Sequence, residues 1–202
     1  MSRAEADRQA LAEVYDDLRR HRETAPGIIG ELISAVTRCH RPGMQPALAT
    51  VGLLGRAPLW GIGSIIADGN TYRPAGPDVG VAAIIVPAVE DGLIIDLVAQ
   101  NISTGRLHRR LDVGAIVGFD EVEHAKAHGL PLLIFNGLPA WLRANTRGAV
   151  IADWTRAGAA LDGLPAILAP ARMVDRIARV TRDCHPRPIV ATPHRRGVAH
   201  AA

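Results

Sequence analysis

The feature that most constrains the fold is a regular alternation of short apolar runs and helical patterns in the C-terminal half. Each apolar run is followed by a segment with helical periodicity. The predicted strands are residues 115–117, 131–135, 149–152 and 166–168, and the predicted helices are 120–128, 138–145, 155–161 and 171–181. Four successive strand–helix units with short links predict a mainly parallel sheet covered by helices, and hence an α/β fold.

The segment before this alternation has the apolar runs and turn signals that are typical of β-strands. Asp91-Gly92 lies between two apolar runs and is a strong signal for a tight hairpin. Residues 62–111 therefore predict a small antiparallel sheet, with strands at 63–68, 79–89, 93–99 and 107–111.

The N-terminal residues 1–42 predict a helical hairpin. Ser2 and Glu5 form a capping box, and Pro26-Gly27 separates two segments with helical periodicity. The domain organisation that follows is a helical hairpin at 1–42, a Pro/Gly-rich linker at 43–61, an α/β domain at 62–181 with antiparallel part 62–111 and alternating part 113–181, and a basic tail at 182–202.

Positive charge is concentrated near the C-terminus, although the formal net charge is only +3. Arginines favour phosphate and acidic protein surfaces, yet an arginine-rich composition also reflects a GC-rich genome, and a merely solvated face is the other interpretation. The candidate nucleic-acid-binding residues are Arg172, Arg176, Arg179, Arg182, Arg187, Arg195 and Arg196.

The chain lacks any run of about 18 apolar residues and begins without a basic and apolar leader, so we expect a cytoplasmic protein without membrane contact. Two cysteines are too few for a disulfide framework. Two Cys-His pairs offer a zinc site as a minor alternative, but adjacent residues chelate poorly, and separate thiols are preferred. These pairs are Cys39-His40 and Cys184-His185.

Polar residues follow the predicted strands, where parallel sheets bind ligands. Asp120, Glu121, Asn136 and Asp153 would converge at one edge if their strands are adjacent, and their oxygens suit Mg²⁺. The alternative is that each of Asp120 and Asp153 simply caps the helix that follows it. His124 and His128 lie one helical turn apart without the glutamate of a zincin motif, and we interpret them as a solvated face.

Three segments resemble the Toprim domain of phage- and plasmid-type DNA primases. They are residues 115–125 (AIVGFDEVEHA), 129–131 (GLP) and 150–158 (VIADWTRAG). The resemblance spans roughly residues 79–181, including the small sheet, and implies a Toprim-like fold, an association with nucleic acid and an origin in a mobile element. Such a site uses a glutamate after its first strand and an Asp-x-Asp pair that holds Mg²⁺.

The chain departs from that pattern at the residues that carry catalysis. Val117 or Gly118 stands at the glutamate position, and Asp153-Trp154-Thr155 retains only the first aspartate. The resemblance therefore implies a non-catalytic binding or regulatory protein without a cofactor. Two alternatives stay open: a Mg²⁺-dependent phosphotransferase or nuclease that uses Asp153 with Asp120 or Glu121, and a structural subunit of an oligomeric assembly.

Overall fold

The computed structural model describes residues 27–39, 60–76, 78–185 and 187–192, with short pieces at 12, 22–23, 48–49 and 52–53. The first helix of the predicted N-terminal hairpin and most of the predicted linker lie outside these residues. The described helices are α1 (Ile28–Cys39), α2 (Phe119–His128), α3 (Leu138–Arg143), α4 (Ala157–Leu161) and α5 (Ala171–Val180).

The strands form two sheets, and the molecule is a mixed α/β structure. The first sheet contains β1 (Arg22–Glu23), β2 (Gly61–Asp68), β3 (Thr71–Ala75), β4 (Val81–Glu90), β5 (Leu93–Asn101) and β6 (Leu107–Arg109). The second contains β7 (Ile116–Val117), β8 (Leu132–Phe135), β9 (Ala149–Ile151), β10 (Ala166–Leu168) and β11 (Ile189–Ala191).

The first sheet closes on itself as a five-stranded barrel. Its order is β5-β4-β2-β3-β6, β6 pairs back onto β5, and β1 is added in parallel to the start of β5. The β4–β5 hairpin turns at Asp91-Gly92, where both residues have positive φ, which confirms the predicted tight turn. The prediction of a simple antiparallel sheet missed β3, the closure and the parallel β3–β6 contact.

The second sheet has the order β11-β10-β8-β9-β7. Three of its pairings are parallel, but β7 runs antiparallel to β9. The four predicted strand–helix units are all present, whereas the direction of β7 was not predicted. Strand β11 was also not predicted, and it lies within the stretch that we interpreted as a basic tail.

Three apolar clusters hold these elements together. One packs α1 against the barrel, and there Gly61 is required because a Cβ would approach the backbone of Ala35 within 2.2 Å. The second lies between the barrel and the second sheet and includes Trp60, Val150 and Trp141 of α3. The third covers the opposite face of the second sheet with α2, α4 and α5. Because β4 contributes to the first two clusters, its sequence is apolar on both faces.

Candidate binding crevice at the strand ends

The chain leaves the parallel strands in opposite directions at their carboxyl ends. After β8 it enters α3, whose Leu138 lies in the cluster that faces the barrel. After β9 and β10 it enters α4 and α5, whose Leu161 and Ile177 lie in the cluster on the other face. Divergence of neighbouring parallel strands leaves a crevice at this edge, and that is where open α/β sheets bind ligands.

A cavity of about 330 Å³ occupies this crevice. The second sheet contributes Asn136 after β8 and Trp154 after β9, while α5 contributes Arg176. The barrel closes the other side with Asn70 from the β2–β3 turn and Arg106 from the β5–β6 loop. The wall of the crevice therefore includes two asparagines and two arginines.

Arg176 lies over the indole of Trp154, with its guanidinium carbon 3.9 Å from the ring centroid. This cation–π contact fixes the position of the charge at the mouth of the crevice. It also covers one face of the indole, so that Trp154 supports an arginine.

Asp153 is buried directly after β9, and all of its carboxylate hydrogen bonds go to neighbouring groups of the protein. Its Oδ1 accepts from the backbone N–H and the hydroxyl of Thr155, at 2.8 and 2.7 Å. Its Oδ2 accepts from Arg109 Nη1 at 2.7 Å and from Arg156 Nε at 2.6 Å. Asp153 thus braces the turn before α4 rather than serving as its N-cap, which is Arg156.

The two arginines also engage Asp112, in the connection between the barrel and β7. Arg109 forms an ion pair with the Asp112 carboxylate, and Arg156 Nη2 donates to the Asp112 carbonyl at 2.7 Å. Arg109 is buried on β6, and its Nε has no hydrogen-bond partner. Arg109 and Arg156 are thus matched by Asp112 and Asp153, and the positive charges in the wall of the cavity itself are those of Arg106 and Arg176.

Asp120 and Glu121 lie at the opposite edge of the sheet, because β7 is antiparallel to β9. Glu121 Oε2 accepts a hydrogen bond from the backbone N–H of Gly148, which precedes β9, at 3.1 Å. The expected convergence of Asp120 and Glu121 with Asn136 and Asp153 therefore does not occur. Asp120 is also not the N-cap of α2: that residue is Gly118, and Asp120 is exposed in the first turn.

The candidate arginines of the C-terminal stretch are exposed wherever the structure describes them. Arg172, Arg176 and Arg179 lie on α5, while Met173 and Ile177 of the same helix are buried. Arg187 donates to the carbonyl of Ala178 at 3.2 Å, and Arg182 is exposed. Arg195 and Arg196 lie outside the described residues.

The residues of the alternative zinc site are not assembled by the described part of the fold. Cys39 packs beside the barrel, where burial raises the pKa of its thiol to about 11. Cys184 follows α5 and donates a hydrogen bond from its Sγ to the carbonyl of Gly158 in α4, and burial also raises the pKa of this thiol. His185 is exposed, and His40 lies outside the described residues. Among the residues described, no three His, Cys, Asp or Glu side chains are grouped to hold a metal ion.

Sequence reasoning missed Asn70, Arg106 and Arg109, all of which come from the barrel. No local pattern marks them, because they reach the sheet edge only through the packing of two sheets. Arg156 carried a weak signal, since it lies three residues after Asp153 in a segment that begins a helix.

No known protein family, no curated protein and no solved structure matches this chain. The resemblance to Toprim domains therefore stays a prediction. None of the described helices is both long and apolar enough to cross a bilayer.

Proposed function

We propose that the protein is a non-catalytic binding protein whose ligand is a nucleic acid, held through its phosphate backbone at the crevice. The observation that carries this proposal is the combination of a crevice at the diverging strand ends with two arginines in its wall. Arginine guanidinium groups suit phosphate because they form paired hydrogen bonds with its oxygens.

The state of Asp153 supports binding rather than metal-dependent chemistry. Both of its carboxylate oxygens are engaged by Thr155, Arg109 and Arg156. A divalent cation would have to displace two guanidinium groups to reach it, and the described residues contain no group of three His, Cys, Asp or Glu side chains that could hold such an ion. The two arginines that line the cavity, Arg106 and Arg176, favour an anion there instead.

The exposed arginines of α5 extend the positive surface away from the crevice. Arg172 and Arg179 flank Arg176 at helical spacing on the solvent side of α5. A phosphate backbone anchored at Arg176 can therefore continue along this helix. Because Trp154 is already covered by Arg176, we expect binding through charge, with little contribution from base stacking.

The test measures the anisotropy of a short fluorescent oligodeoxynucleotide, single-stranded or duplex, over a series of salt concentrations. We expect Arg176→Ala to weaken binding and to reduce the salt slope by about 0.7 for a single strand, the share of one phosphate contact. Arg106→Ala should do the same. Arg147→Ala is the matched control, because Arg147 is exposed at the opposite edge of the sheet.

Three outcomes would overturn the proposal. The first is the absence of salt-dependent binding to either form of DNA at low salt. The second is an equal loss of affinity in Arg147→Ala, which would indicate a diffuse charge effect. The third is equally tight binding of polyglutamate, which would indicate a surface for acidic proteins.

A further inference from the structure

Two exposed histidines lie one turn apart on α2, away from the crevice. The ring centroids of His124 and His128 are 4.3 Å apart, and the ring planes are inclined by 35°. Residues four apart on a helix project from the same face, so both imidazoles face solvent over one patch of surface. We call these two residues the histidine pair.

The hydrogen bonding of His128 leaves one ring nitrogen available outside the helix. Its Nδ1 lies 2.9 Å from the carbonyl oxygen of His124. Because a carbonyl oxygen only accepts, Nδ1 carries the hydrogen, and Nε2 of the neutral ring carries the lone pair. Histidines that bind metals are usually held in this way, with the second ring nitrogen donating to a carbonyl or carboxylate.

The helix that carries the histidine pair is anchored in the core, and its lysine is already paired. Val122 and Ala125 anchor α2 in the apolar cluster that covers the second sheet. Lys126 Nζ bonds to Glu123 Oε1 at 2.9 Å, so a carboxylate accompanies the lysine charge on this helix. The two imidazoles therefore project from a helix that is packed into the core.

We propose that the histidine pair is a binding site for a divalent transition-metal ion, with Cu²⁺ bound more tightly than Zn²⁺. Imidazole nitrogen suits both ions, and Cu²⁺ stands above Zn²⁺ in the general order of affinities. The described residues offer no third ligand at this place, so water completes the coordination. The site is independent of the crevice and of the proposed nucleic-acid function.

The test is calorimetric titration of the full chain with Cu²⁺ and with Zn²⁺. We expect the tightest Cu²⁺ step to weaken at least about tenfold in His124→Gln and in His128→Gln, because even an outer hydrogen-bond partner of a metal ligand is worth that much. His185→Gln is the matched control, since His185 is also exposed but has no histidine one turn away. Circular dichroism of each variant confirms folding.

Electron paramagnetic resonance of the Cu²⁺ complex supplies a second readout. We expect coupling to two imidazole nitrogens in the original chain and in His185→Gln, and to at most one in either variant of the histidine pair. A tightest step that survives His124→Gln unchanged, or the absence of saturable Cu²⁺ binding, would overturn the proposal.

Discussion

The barrel and the second sheet each bury one aspartate, and the two carboxylates are stabilised in different ways. Asp96 on β5 is fully buried and accepts hydrogen bonds from five backbone N–H groups, at 2.8 to 3.0 Å. Those donors belong to Leu97 and to four residues of the connection between the barrel and β7. Asp153, in contrast, is held by two guanidinium groups and Thr155.

The difference separates an aspartate of the framework from one at the edge where we propose binding. Backbone donors cannot leave Asp96 without unfolding the connection over residues 110–114, so its role is structural. Arg156 can leave Asp153, because 44% of its side chain is exposed. The partners of Asp153 therefore include one partly exposed charged side chain, whereas all the donors to Asp96 are backbone groups.

The largest expected effect is that of Asp96→Asn. The amide nitrogen would face backbone N–H groups and leave donors without acceptors in a buried place, so we expect a loss of about 3 kcal/mol in the free energy of unfolding. Urea denaturation followed by circular dichroism measures it. Asp91→Asn, in the exposed β4–β5 turn, is the control and should change stability by less than about 0.5 kcal/mol. Equal effects in the two variants would contradict the framework role of Asp96.

A smaller loss is expected for Asp153→Asn. The variant removes the charge that compensates buried Arg109, but Arg109 retains its ion pair with Asp112, so we expect about 2 kcal/mol. The same denaturation experiment applies. A loss larger than that of Asp96→Asn would reverse the comparison between the two carboxylates.

The two arginines that pair with Asp153 should contribute differently to the free energy of unfolding. Arg156→Gln should cost less than about 1 kcal/mol, because ion pairs of exposed side chains contribute little. Arg109→Gln should cost more, since only 5% of that side chain is exposed and two aspartates depend on it. Similar losses in the free energy of unfolding for the two variants would contradict the expectation that the buried arginine contributes more than the exposed one.

The pH dependence of the free energy of unfolding tests a titratable group of the barrel, His108. Burial lowers the pKa of His108 on β6, with opposing contributions from the carbonyl groups of Gly69 and Thr71. The folded chain therefore binds this proton less readily than the unfolded chain, so stability is complete above the ordinary pKa of histidine and falls as the pH decreases below it. We expect His108→Gln to lose less stability than the original chain between neutral and mildly acidic pH. Parallel losses in the two proteins would exclude this role of His108.

The elements of the α/β half were predictable because their signals are local. The apolar run at 166–168 and the helical pattern after Ala171 correspond to β10 and α5 almost residue for residue. The turn at Asp91-Gly92 was predictable for the same reason, because a type I′ hairpin requires two residues that tolerate positive φ.

The direction of β7 and the closure of the barrel were not predictable from local patterns. Strand β7 has only two residues, and nothing in Ile116-Val117 distinguishes a parallel from an antiparallel partner. Closure depends on single contacts such as Thr71 beside Arg109, between residues far apart in sequence. The metal site that we considered failed for this reason: its residue types were correct for Mg²⁺, but its geometry depended on the direction of one short strand.

The closed barrel has a consequence for self-association. Each of its five strands pairs with two neighbours, so their backbone groups offer little template to another chain. The second sheet is open, with β7 and β11 as its edge strands among the described residues, and Ile189 of β11 is 71% exposed. This strand is only three residues long, and Arg187 and Pro188 precede it. Natural sheets discourage pairing with other chains by short edge strands, charges and prolines, and β11 combines all three.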